Sequence, residues 1–150
     1  MTTAERLTAV DEMLALPFPS KDTREGERSS GPGYHVCVLL ASQDFWDDRS
    51  EETVEAAEEE IDAALHELVT ALTARWGRPE SIDLEPYLWG ESPAPEPMQT
   101  LCVLSGEMLV WRLPDVGRWI ALAVGQNDPE FPIELLAAVG EAPIPAVNDH

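Results

Sequence analysis

Residues 50–79 read SEETVEAAEEEIDAALHELVTALTARWGRP, and this stretch decides the fold. Val54, Ala57, Ile61, Ala64, Leu65, Leu68, Leu72 and Trp76 recur at steps of three and four, which lines one side of an α-helix with apolar groups. Ser50 is placed to cap the N-terminus, and Glu51 and Glu52 suit the positive end of the helix dipole. Arg75 and Arg78 suit the negative end, Gly77 can take a left-handed terminal conformation, and Pro79 stops propagation. The spacing predicts a helix over 51–76, about 39 Å long at 1.5 Å per residue. That length crosses a domain of 150 residues.

Upstream, residues 3–16 predict a short amphipathic helix with Thr2 and Glu5 at capping-box spacing and Pro17 as its stop. Residues 20–33, SKDTREGERSSGPG, are polar and glycine-rich and read as a flexible loop, long enough for the first helix to dock loosely. Tyr34–Ala41 (YHVCVLLA) is nearly all apolar and predicts a strand buried on both faces.

Downstream, residues 82–89 predict a short strand, and prolines at 93, 95 and 97 make 90–99 an extended segment. The last third predicts a meander of strands over 100–104, 107–113 and 118–124, with turns at Ser105-Gly106 and 114–117. Within 118–124, Trp119, Ala121 and Ala123 share one face and Ile120, Leu122 and Val124 the other, so both faces expect cover. Residues 131–139 satisfy either helix or strand patterning, and we read them as strand. Strands grouped after the helices, rather than alternating with them, argue for α+β. The expected architecture for 1–150 is one acidic α+β domain: a mainly antiparallel sheet of four to five strands, the long helix on one face and a short N-terminal helix.

Charge narrows the function. With 29 Asp and Glu against 9 Lys and Arg, the formal net charge is −20. Such a field repels phosphate backbones and anionic membrane surfaces, so neither nucleic acid nor membrane is an expected partner. No apolar run approaches the roughly 20 residues of a membrane span, and the N-terminal residues lack the basic and apolar run of a signal peptide. Cys37 and Cys102 sit in apolar surroundings without a C-x-x-C pattern, which suits buried thiols in a reducing compartment, and the cytoplasm is the expected location. A disulfide between them stays open, and the oligomeric state is not legible.

Chemistry is sparse. No G-x-S-x-G elbow is present, and His35 with Cys37 is the one conceivable nucleophile pair. Glu58, Asp62 and His66 fall at helical steps of four, with Glu59 adjacent, yet Glu59 and His66 point away from the apolar stripe into solvent. One helix alone makes a weak metal site. Asp44, Asp47 and Asp48 lack the glycine and distal glutamate of an EF-hand loop. Gly31-Pro32-Gly33 precedes a strand and loses an amide to proline, which disqualifies it as a phosphate cradle. Neither catalytic residue, metal ligand nor cofactor can be nominated.

What remains is an acidic concentration. Residues 44–67 hold eleven acids against Arg49 alone, half of the chain's net charge. Glu51–Glu55, Glu55–Glu59 and Glu58–Asp62 are like-charged pairs one turn apart, each unfavourable by ~0.2–0.5 kcal/mol. Core packing of the apolar stripe must offset that cost. One reading is that the face only keeps the protein solvated. The other is a docking face for a basic protein, with Glu55, Glu59, Asp62, Trp46, Asp47 and Asp48 as candidate contacts, Trp being a frequent anchor of interfaces. The profile of a small acidic α+β domain is similar to that of bacterial secretion chaperones and toxin-neutralising immunity proteins. That likeness rests on composition and element order and carries over no residue. Two alternatives stand beside it: a small-ligand binder or enzyme with a cleft under the 20–33 loop acting as lid, and a nucleic-acid mimic presenting spaced carboxylates.

Overall fold

The computed structural model describes residues 2–90, 94–142 and 144. Its centre is β7 (Glu134–Gly140), whose segment ELLAAVG is buried after its first residue. On one side β7 pairs with β3 (Tyr34–Ala41), and on the other with β6 (Arg118–Gly125). Outward from β3 lie β2 (Arg28–Gly31) and β1 (Thr23–Glu25); outward from β6 lie β5 (Glu107–Leu113) and β4 (Glu80–Asp83). Every neighbouring pair is antiparallel. The sheet therefore has seven strands, in the order β1-β2-β3-β7-β6-β5-β4, not four to five.

Alternation along the central strands divides the core in two. Leu135, Ala137 and Val139 of β7, with Ile120 and Leu122 of β6, meet α1 (Thr3–Ala15) and α2 (Glu51–Trp76). Leu136, Ala138, Trp119, Ala121 and Ala123 face the opposite way. They meet a layer that includes Leu84, Met98, Leu101 and Ile144 and carries α3 (Glu85–Leu88) and α4 (Met98–Cys102). Both faces are thus covered, which is why 118–124 is apolar on both sides. The buried indoles keep their N–H groups satisfied: Trp111 donates to the Gly77 carbonyl and Trp119 to that of Ala142, both at 2.9 Å. Gly140 lies flat against Trp119, and a side chain there would collide with the ring.

Helix α2 runs over the predicted residues. Ala57, Ile61, Ala64, Leu68 and Leu72 form its buried stripe, Ser50 accepts from the Thr53 amide, and Gly77 at φ 89 ends it. Helix α1 carries the reciprocal Thr2–Glu5 capping box. It is not loosely docked. The Arg118 guanidinium reaches back from β6 to the carbonyls of Met13, Leu14 and Leu16, at 3.2, 3.0 and 2.7 Å, and stacks 3.9 Å over the Phe18 ring. Those carbonyls belong to the C-terminal turn, where a cation complements the dipole.

Three further expectations are corrected. Most of 20–33 is not loop but the β1–β2 hairpin, turned at Gly26 with φ 58. Its strands are short and polar, without an apolar face, so periodicity could not reveal them; they form because β3 offers an edge for β2 to pair with, Ser29 opposite Val36 and Arg28 opposite Cys37. Residues 100–104 are not strand. Met98, Leu101 and Cys102 have helical spacing, and the Glu96 carboxylate accepts from the Thr100 amide and hydroxyl at the start of α4. The expected extended segment 90–99 therefore gives way to helix at its end, while 91–93 lie outside the described residues. In 82–89 the strand is displaced to Glu80–Asp83, and Pro86 sits in the first turn of α3, where its missing N–H costs nothing.

Candidate interaction surface

Antiparallel pairing puts the strand connections at two ends of the sheet, and the ends differ in charge. At one end Ala41 and Gly125 both lie opposite Glu134, and Asp83 lies opposite Glu107. Loops 42–50, 104–106 and 126–133 gather there. Ser42 N–H donates to Ile133, Phe45 to Glu130 and Gln126 to Leu104. This is also where α2 begins, and where Asp44, Asp47, Asp48, Glu51, Glu52, Glu55, Glu85, Glu107, Asp128 and Glu130 concentrate. At the opposite end Leu113 pairs with Arg118 and Tyr34 with Gly140, and the arginines 75, 112 and 118 are all engaged within the molecule.

All eleven acids of 44–67 are exposed. Asp48 is committed to structure: one carboxylate oxygen accepts the Ser50 amide at 2.9 Å, the other the Thr53 hydroxyl at 2.7 Å. These hydrogen bonds stabilise the carboxylate and hold its pKa below the ordinary value, and they fix the start of α2. Glu67 accepts the Thr3 hydroxyl and so ties α2 to α1. Among the described residues, the ion pairs join Arg28 to Glu25, Arg49 to Glu130, Arg75 to Asp11 and Arg112 to Glu80. None of them draws in an acid of 44–67.

The six candidate contacts divide into three places. Glu55 and Glu59 lie on the outer face of α2, opposite the buried stripe, and Asp62 sits on its flank. Asp62 lines an open cleft of about 290 Å³ with Glu58, Ile61, Ser105 and Gly106. Trp46, Asp47 and Asp48 sit just before the helix, where the half-exposed Trp46 ring leans on Phe131, centroids 5.3 Å apart. Phe45, next in sequence, is fully buried in the core, so of this aromatic pair only Trp46 reaches solvent.

His35 and Cys37 do not form a catalytic pair. His35 is fully buried. Its Nε2–H donates to the Leu16 carbonyl at 3.0 Å, and its Nδ1 accepts from the Ser30 hydroxyl at 2.6 Å. Burial pushes its pKa down, opposed by the Leu16 carbonyl and assisted by Arg118 and Arg28, so the ring is neutral. The Cys37 thiol points to its neighbour's carbonyl, and burial raises the pKa of both cysteines. Both are free thiols; they occupy opposite faces of the sheet, and Cys102 lies in α4 rather than in a strand. Among the described residues no group of three or more His, Cys, Asp and Glu is arranged to hold a metal ion, and no helix is long and apolar enough to cross a membrane.

No known family, curated protein or solved structure matches this chain. Function must therefore be argued from the surface itself. Sequence patterning missed part of that surface. Leu88, Trp89 and Val103 are 43%, 74% and 56% exposed around one shallow cleft. The assignment of 82–89 and 100–104 to strands hid their shared place. Two apolar residues ending a helix that starts with Glu85-Pro86 were the available signal.

Proposed function

We propose that the protein is a non-enzymatic protein-binding module, immunity-protein-like or chaperone-like, that engages a basic protein through the acidic face of α2. The observation that carries the reading is the contrast in pairing. Arg28, Arg49, Arg75 and Arg112 are bonded to Glu25, Glu130, Asp11 and Glu80, while the carboxylates of 44–67 are exposed, with no lysine or arginine of the described residues at ion-pair distance. The helix tolerates like-charged neighbours that cost on the order of 1 kcal/mol in total. Unscreened carboxylates on a rigid helix steer a cationic surface into contact and select against anionic ones.

The cleft-and-lid alternative loses its support, because 23–31 are paired into the sheet and the clefts beside α2 are lined by other residues. The test is affinity capture from native lysate at low and high salt, comparing wild type with Glu55→Lys/Glu59→Lys/Asp62→Lys. The expected result is a partner lost at high salt and lost with the triple variant, whose circular dichroism is unchanged. Equal capture by both proteins overturns the proposal. Competition by duplex DNA for the captured partner separates a nucleic-acid mimic from a binder of another basic surface.

A further inference from the structure

The Ser105-Gly106 turn is a ridge shared by three clefts. Toward α2 lies the cleft of Glu58 and Asp62; toward the sheet, an open cleft of about 640 Å³ reaches Leu65, Asp83 and Glu107; toward α3 and α4, one of about 320 Å³ holds Leu88, Trp89 and Val103. The ridge is held from both sides. Leu84 N–H donates to the Gly106 carbonyl at 2.8 Å, and Gln126 N–H to that of Leu104 at 3.1 Å. Above Gly106 the space is open: a β-carbon there would meet nothing within 4 Å.

Resting on the binding-module reading above, we propose that this ridge is the docking line for a cationic amphipathic segment of the partner. Its apolar side sits on Leu88, Trp89 and Val103, and its Lys and Arg side chains reach the acids on either flank. Three observations select that occupant. Exposed Leu88, Trp89 and Val103 lie together around one cleft, and a well-exposed Trp at the end of a short helix is a typical anchor. The rim is acidic on both sides, with Glu58 and Asp62 across the ridge and Asp83, Glu85 and Glu107 beside it, and among the described residues no Lys or Arg lines any of the three clefts. The Trp89 ring adds a face on which a guanidinium or ammonium can rest. A second copy of the chain is disfavoured, because each carries −20 and a two-fold contact would set these acids against one another.

The test uses two fluorescently labelled synthetic peptides of equal length and equal Lys/Arg content, one with leucines along one helical side and one with serines in their place. Fluorescence anisotropy at low salt reads their affinities for wild type, Trp89→Ala, Val103→Ser and the α2 triple variant. Trp89 and Val103 are exposed, so those two variants keep the fold, checked by thermal unfolding. The expected result is that wild type prefers the leucine peptide by roughly tenfold or more, and that Trp89→Ala and Val103→Ser erase most of that preference. The triple variant weakens both peptides and leaves the preference. Equal binding of both peptides to wild type overturns the apolar ridge while leaving the acidic-face reading standing. Failure of both peptides to bind at low salt overturns both readings. A wild-type dimer in sedimentation velocity that Trp89→Ala dissolves assigns the ridge to self-association and overturns the proposal.

Discussion

The two ends of the sheet handle charge in opposite ways. At the β5–β6 turn, cations are scarce and three arginines are spent inside: Arg118 closes the C-terminus of α1 through three carbonyls, Arg112 holds Glu80, and Arg75 holds Asp11. At the end where α2 begins, acids are abundant, and apart from Asp48 at the helix cap and Glu130 with Arg49 few are committed. The three arginines at the first end are placed for stability; the like-charged pairs of α2 at the second are placed against it.

That contrast can be broken by removing a cation from one end or adding one to the other. The largest effect belongs to Arg118→Ala, which strips the carbonyls of Met13, Leu14 and Leu16 of a charged donor and Phe18 of its stacked guanidinium. Urea unfolding is expected to show a loss of about 2–3 kcal/mol, with Arg118→Lys intermediate because an ammonium lacks the planar fork. An unchanged midpoint would remove the idea that scarce cations are structural.

The next effect is in pH. Burial, assisted by the charges of Arg118 and Arg28, holds His35 neutral, its pKa below the ordinary 6.5. The unfolded chain therefore takes up a proton first. The neutral ring's contribution is complete above pH 6.5 and is lost as pH falls from there toward the lowered folded-state value, with a slope of at most about 1.4 kcal/mol per pH unit. Urea midpoints measured from about pH 7.5 to about 5.5 should fall for wild type and flatten for His35→Gln. Parallel curves for the two proteins would contradict the assignment.

The smallest effect has the opposite sign. Glu59→Lys converts the repulsive Glu55–Glu59 pair into an attractive one and should raise stability by about 0.4–1 kcal/mol. Salt should stabilise wild type by a few tenths of a kcal/mol and this variant by less. If Glu59→Lys destabilises, the acids near it are bonded in solution and the two ends are alike.

Long-range charge order was not legible in the amino-acid string, but the elements that create it largely were. Helix α2 announced itself because its stripe runs unbroken from Val54 to Trp76 and both ends carry cap residues. Strands β3, β5, β6 and β7 were readable because they are long and apolar, although Pro132 and the Leu-Leu-Ala-Ala run left β7 ambiguous. Strands β1 and β2 were not, since nothing in TRE or RSSG faces a core; their pairing depends on an edge brought from elsewhere. Short α4 was misread because five residues give a 3.6 period too little room to separate from alternation. Of the candidate surface, the exposure of the acids followed from the helical wheel. The meeting of Asp62, Ser105 and Trp89 along one ridge required the fold.

Strand β7 lies in the middle of the sheet but comes after the other six in the chain. Before it inserts, β1-β2-β3 and β4-β5-β6 are two separate ribbons, each with a bare inner edge and an apolar face. As the chain leaves the ribosome, neither ribbon can be completed until the segment ELLAAVG has emerged, so closure is a late, long-range step. Until then the half-sheets present unpaired edges to any neighbouring chain, and the heavy negative charge keeps like nascent chains apart during that interval.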